Sequence, residues 1–283
     1  MPLVTNLDEL KRGQAAGYAV PLFVTFEPLA TDGMIAAAEE KRAPMILAFY
    51  DGMIEKADAD AFAAYVRTKA ARAAVPVALM LDHGASFEQC VRALAMGFTG
   101  VMFGGSRLPV DDNIARTREV VRAAHAVGAL CEGEIGQVGS GHNYDEFGAR
   151  GQGFSDPAEV ERFVAETGVD CVAIAIGTAH GEYNGEPKLD LDRLAAIRKR
   201  VGVPLVLHGG SGLSEEQFRA AIAGGVAKVN IFTDLGLTCA RRLAATAKRE
   251  KPSYFDFTAE IVESFRDRSG YYMDLFGASG TAR

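Results

Sequence analysis

Several apolar runs in this chain stop abruptly at residues suited to chemistry. Residues 77–81 are apolar and end in Asp82 and His83, with Gly84 and Ser86 opening what reads as a helix. An acid and an imidazole at the tip of a buried strand make a poor core. They make a good site, because ligands in parallel α/β proteins bind beyond the carboxyl ends of the strands. The pattern recurs. Leu130-Cys131-Glu132-Gly133-Glu134 ends a run in an acid, and residues 171–176 lead into Gly177-Thr178-Ala179-His180-Gly181. Residues 204–207 end in His208-Gly209-Gly210-Ser211-Gly212.

Of the five histidines, His125 sits mid-helix and reads as structural. His83, His180 and His208 each follow a different strand, so they should converge on one mouth. Neutral imidazoles in that number suit a borderline-soft divalent ion, with Zn²⁺ the first choice. Glu134 is the nearest carboxylate that could join them or exchange with them. Asp82 should point away from His83, since adjacent strand residues face opposite sides. That frees it as a proton donor or acceptor, or as a carboxylate that orients an imidazole.

The elements that must position these groups alternate along the chain. Runs near residues 19–24, 45–49, 77–81, 100–103, 129–132, 171–175, 205–207 and 227–231 are short, continuous and apolar, as strands covered on both faces should be. Helix starts are visible between them: Ser155-Asp156-Pro157 offers a cap with proline in the first turn, and Ser214 with Gln217 offers a capping box. The spacing predicts an α/β protein, a single (β/α)8 TIM barrel over residues 1–283 with extra C-terminal helices over 255–265 and 271–276. A doubly wound sheet is the other topology considered. The glycine-rich stretch 136–153 follows the fifth strand on the site face and reads as a mobile lid.

Composition narrows the partners. A formal charge of −7 over 283 residues argues against nucleic acid or an anionic membrane surface. No apolar run is long enough to span a membrane. Cys90, Cys131, Cys171 and Cys239 are scattered without a CxxC, which suits reduced thiols and a cytoplasmic location.

A phosphate site is also legible. Gly209-Gly210-Ser211-Gly212 follows the seventh strand and Asn230-Ile231-Phe232-Thr233-Asp234 the eighth. These are the loops that form the phosphate site of such barrels, with backbone N–H groups free at a helix N-terminus. A divalent ion beside a phosphate pocket and a free acid fits carbanion chemistry alpha to a carbonyl.

These residues resemble the class II, metal-dependent ketose-bisphosphate aldolases, the fructose- and tagatose-bisphosphate group, of which this would be an atypical member. The matching segments are Leu81-Asp82-His83-Gly84-Ala85-Ser86-Phe87-Glu88, Ala175-Ile176-Gly177-Thr178-Ala179-His180-Gly181, Gly185-Glu186-Pro187-Lys188-Leu189, the segment from Pro204 to Gly212, and Lys228-Val229-Asn230. The resemblance implies a lyase that cleaves or forms a ketose phosphate through a metal-bound enediolate of dihydroxyacetone phosphate. It implies His83, His180 and His208 as metal ligands, with Glu134 associated with the metal. Asp82 would shuttle the proton on the aldehyde-derived oxygen. Gly181, Gly209, Ser211, Asn230 and Thr233 would hold dihydroxyacetone phosphate. A monovalent cation near the phosphate and a homodimeric or homotetrameric assembly are further family traits.

The departures from the family pattern are specific. Val24 stands where the first strand usually has asparagine, Phe103-Gly104-Gly105 lacks the usual acid, and Asn184 replaces a common lysine. The lid lacks the usual Gly-Gly-x-Glu-Asp run, leaving His142, Asp145 and Glu146 as candidates for the base. Tyr50 and Ser253 fall where the far phosphate of a bisphosphate is usually held, and Phe232 where a small or polar residue is usual. The aldehyde half is therefore expected not to be glyceraldehyde 3-phosphate, unless Arg266 or Arg268 supplies the missing guanidinium. A metal-dependent hydrolase, and a non-catalytic partner subunit of another enzyme, are the competing functions.

Overall fold

The alternation of apolar runs and capped helices closes on itself in the computed structural model of the protein, which describes residues 3–144 and 153–282. The strands are β1 (Val20–Val24), β2 (Met45–Tyr50), β3 (Val77–Gly84), β4 (Gly100–Phe103), β5 (Leu130–Ile135), β6 (Gly139–Ser140), β7 (Cys171–Ile174), β8 (Ala179–His180), β9 (Leu205–Leu207) and β10 (Val226–Ile231). All but β6 and β8 form a closed parallel barrel in the order β1-β2-β3-β4-β5-β7-β9-β10. The last strand returns to the first, with Val20 opposite Lys228 and Phe23 opposite Ile231. Closure excludes the doubly wound sheet. The barrel strands are buried on both faces almost throughout, which is why they read as unbroken apolar runs.

Helices fill the connections with the expected caps. Asp156 accepts from the Ala158 and Glu159 N–H groups at 2.8 and 3.1 Å. Ser214 and Gln217 form the reciprocal box. The helix Leu7–Ala16 follows a segment tied to the N-terminal ends of the strands, where Asn6 Nδ2 donates to the Met45 carbonyl at 2.7 Å.

The C-terminal segment differs from expectation. The two expected pieces are one continuous helix, Tyr254–Leu275. Gly270 does not break it because that helix packs closely on the helix Pro28–Lys41: a Cβ at Gly270 would lie 3.2 Å from the Lys41 side chain. A Cβ at Gly33 would lie 2.4 Å from the Val262 carbonyl, so the close approach needs glycine there. Among the described residues, no helix is long and apolar enough to cross a membrane.

Candidate active site

The mouth at the strand C-termini is shaped by a break in β3. Its pairing with β4 shifts between Leu81 and Gly84, and His83 takes a left-handed φ of 53°. A left-handed residue other than glycine costs about 1–2 kcal/mol, and such strain tends to collect at functional sites. The break overturns the alternation expected for Asp82 and His83. Both side chains face the mouth, with Asp82 Oδ1 only 3.9 Å from His83 Nε2.

His208, just past β9, is fully buried, and His180 ends β8. The three imidazoles His83, His180 and His208 offer ligand atoms that all lie within 4.8 Å of one another. His208 Nδ1 and His83 Nε2 are 3.0 Å apart. Zinc–nitrogen bonds of about 2.0–2.1 Å in tetrahedral geometry separate ligand nitrogens by about 3.4 Å, so the cluster has the right scale for one ion. Part of His180 is open to solvent. Even so, desolvation within the mouth, and then the charges of His83 and His208, pull its pKa down to about 3. A neutral imidazole of that kind is what a metal needs.

Beneath the mouth lies a buried relay to which the sequence reading gave no role. His208 Nε2 is 2.9 Å from Glu132 Oε1, and Lys228 Nζ donates to Glu132 Oε2 at 2.8 Å. All three side chains have no exposed surface. Burial pushes the Glu132 pKa up, but Lys228 and then His208 outweigh it and bring it to about 2. Burial opposes a charge on His208, yet Glu132 and Asp82 raise its pKa. Glu132 thus draws the Nε2 proton of His208 and leaves Nδ1 facing the other imidazoles. A carboxylate behind a histidine is how metal ligands are commonly oriented. The donor set and its support fit a divalent ion.

Glu134 is on the same face of β5 as Glu132, one step nearer the mouth, and it is buried. Its carboxylate is not among the ligand atoms that converge.

Asp82 is held by Asn230, whose Nδ2 donates to Asp82 Oδ1 at 3.0 Å. Burial would raise the Asp82 pKa, but His83, His208 and Lys228 reverse this and lower it, so the group rests as a carboxylate. Asn230 Oδ1 is buried and has no partner among the described residues. An orphan acceptor of this kind asks for a donor. Both residues line a cavity of about 340 Å³, together with His83 and His180.

Gly181, Gly209, Ser211, Asn230 and Thr233 all line the same cavity. Gly209 has φ 68°, and a Cβ there would lie 2.4 Å from the Ala179 carbonyl. Only glycine lets this turn pass so close to the strand bearing His180. Thr233 begins the helix Thr233–Thr246, so the free N–H groups of its first turn lie at the cavity wall. Tyr183, also unassigned from sequence, clamps the two loops together. Its hydroxyl donates to the Gly209 carbonyl at 2.7 Å and accepts from the Ala179 N–H at 2.7 Å.

The stretch 136–153, expected as a mobile lid, is anchored at its start. Ser140 of β6 pairs with His180 of β8. Asn184, in place of the usual lysine, donates to the His142 carbonyl at 2.6 Å, and its N–H reaches the Gly141 carbonyl at 3.0 Å. Tyr144 is buried, and its hydroxyl accepts from the Lys188 N–H at 2.7 Å. His142 is exposed and does not line the cavity. Asp145 and Glu146 lie outside the described residues.

Comparison with known proteins points one way. The family model described as fructose-bisphosphate aldolase class-II matches residues 4–281. A probable fructose-bisphosphate aldolase of Bacillus subtilis is 35% identical, with 100% of each chain covered. A fructose-bisphosphate aldolase of Thermus caldophilus is 37% identical over 99% of this chain and 100% of that one. The crystal structure of the YdjI aldolase from Escherichia coli K12 superposes with a TM-score of 0.89 at 30% identity, over 99% of this chain and 100% of that one.

Proposed function

The chain belongs to the class II fructose-bisphosphate aldolase family, and we propose that it cleaves and forms a ketose phosphate at this barrel mouth, with dihydroxyacetone phosphate as the ketone half. The observation that carries this reading is a cluster of three imidazoles, two of which, His83 and His180, line one cavity with the Asp82 carboxylate and a glycine-lined cup. A metal-dependent hydrolase would need the imidazoles but not the orphan amide oxygen of Asn230.

The family is generally divalent-metal dependent. His83, His180 and His208 would hold the ion, Zn²⁺ by preference, with Glu134 as an exchanging ligand. Bound there, a divalent cation polarises the substrate ketone as a Lewis acid. The protein supplies the rest. Backbone N–H groups of Gly209, Ser211 and Thr233, at a helix N-terminus, receive the phosphate. A monovalent cation beside that phosphate is part of the proposal. Asn230 Nδ2 fixes Asp82, while its free Oδ1 accepts a substrate hydroxyl. In cleavage, the Asp82 carboxylate takes the proton of the C4 hydroxyl as the C3–C4 bond breaks, and the aldehyde departs. C3 then takes a proton and dihydroxyacetone phosphate leaves. We place the group that exchanges that C3 proton on the stretch 136–153, with His142, Asp145 and Glu146 as its candidates. Four buried free thiols agree with a cytoplasmic enzyme, and we propose a homodimer or homotetramer.

The test is release of dihydroxyacetone phosphate from ketose 1-phosphates. Release that a chelator abolishes and Zn²⁺ restores supports the reading. Release indifferent to chelation, or none with any ketose phosphate, contradicts it.

A further inference from the structure

Three aromatic rings line the cavity on the side of β10, β1 and β2. Phe26 stands between the other two, its ring centroid 5.5 Å from Tyr50 and 4.5 Å from Phe232. All three line the cavity that Asp82, His83 and His180 also line. Phe26 remains 37% exposed. The rings are seated by small neighbours. A Cβ at Gly52 would lie 2.6 Å from the Tyr50 ring, and one at Gly236 would lie 3.6 Å from the Phe232 ring. Val24, where the family usually has a polar amide, also lines the cavity.

Among the described residues lining the cavity there is no lysine or arginine. Arg268 pairs with Asp234 and lies over the Tyr271 ring at 4.2 Å. Arg266 pairs with Asp267 at 3.1 Å. Ser253 caps the helix Tyr254–Leu275 through Asp256. None of these lines the cavity, so the alternative in which Arg266 or Arg268 reaches a second phosphate has no support here. Against the described lining, a phosphate on the aldehyde half would lose hydration without meeting a lysine or arginine, whereas an apolar group would gain by burial against the rings.

We infer that the aldehyde half of the substrate carries an uncharged, apolar or aromatic tail, selected by Phe26, Tyr50 and Phe232. The inference rests on the aldolase reading above and names its substrate class. In the synthetic direction, C3 of dihydroxyacetone phosphate loses a proton and bonds to the aldehyde carbon. The aldehyde oxygen gains a proton as it becomes the C4 hydroxyl, so no oxidant or reductant enters.

The test is addition of dihydroxyacetone phosphate to lactaldehyde, phenylacetaldehyde, glyceraldehyde and glyceraldehyde 3-phosphate by the Zn²⁺-loaded enzyme. kcat/KM for lactaldehyde or phenylacetaldehyde should exceed that for glyceraldehyde 3-phosphate at least about tenfold, and Phe26→Ala should cut that ratio about tenfold. Saturation-transfer NMR should show magnetisation passing from the protein to the phenyl protons of phenylacetaldehyde, and less of it in Phe26→Ala. A preference for glyceraldehyde 3-phosphate, or no transfer to the phenyl ring, overturns the inference and leaves the aldolase reading standing. No product from any aldehyde, with no exchange of the C3 protons of dihydroxyacetone phosphate, overturns the aldolase reading and the inference with it.

Discussion

Glu132 never meets solvent, yet it decides which nitrogen of His208 faces the other imidazoles. Replacing it with glutamine keeps the shape but removes the charge that Lys228 and His208 share. Partners of this kind are typically worth about 10–100-fold in metal affinity. Glu132→Gln should therefore bind Zn²⁺ about 10–100-fold more weakly in a competition titration, and unchanged affinity would remove Glu132 from the site. The acid limb of stability carries the same signature. The folded pKa of about 2 lies below the ordinary 4.5, so the stabilisation is complete above the higher value and is lost as pH falls toward the lower one. Denaturant titrations across that window should show a shallower loss in Glu132→Gln than in wild type. Asp82 works at the reacting atoms instead. Asp82→Ala should keep its ion and lose about 10²–10⁴-fold in turnover; wild-type turnover in the metal-replete variant would remove Asp82 from the mechanism. His83, His180 and His208 were legible in the sequence because each ends a separate apolar run. Glu132 and Lys228 were not, because their pairing joins residues 96 positions apart across a closed barrel.

Elements were legible where burial writes a continuous pattern, and not where local geometry departs from it. The barrel strands and the Ser214 and Asp156 caps follow from apolar runs and short polar signals. The break in β3 does not, since the left-handed residue is His83 and not the adjacent Gly84, and it is this break that turns Asp82 and His83 to the same side. The β6–β8 ladder is two residues long and has no periodicity to read. The Gly209 turn makes a test at this scale. Gly209→Ala places a Cβ against the Ala179 carbonyl in a left-handed backbone. The strain alone is about 1–2 kcal/mol, and relief would shift the strand end that carries His180. KM for the ketose phosphate should rise at least about tenfold, while an unaltered KM would show that this turn does not hold the phosphate.

At the scale of the whole molecule, the barrel brings groups from β3, β5, β9 and β10 to one end and the β6–β8 ladder adds His180 there, so the ion should also bind the fold together. A ligand present at a hundred times its Kd stabilises by about 2.7 kcal/mol. For a chain of this size, chelation should then lower Tm on the order of 5–10 °C, and His208→Ala should lose most of that response. The aromatic side of the mouth was legible only in part, since Tyr50 and Phe232 stood out as departures but Phe26 joined them only through the closure of β1 against β10. We propose that these residues, with a divalent ion, labilise a proton beside the ketone of dihydroxyacetone phosphate. The direct measurement is proton NMR of dihydroxyacetone phosphate in D₂O with the Zn²⁺-loaded enzyme and no aldehyde. The expected result is stereospecific loss of one C3 proton signal, stopped by a chelator and absent in His208→Ala. Exchange that survives both, or no exchange with fully loaded wild-type protein, would show that this site does not enolise the ketone.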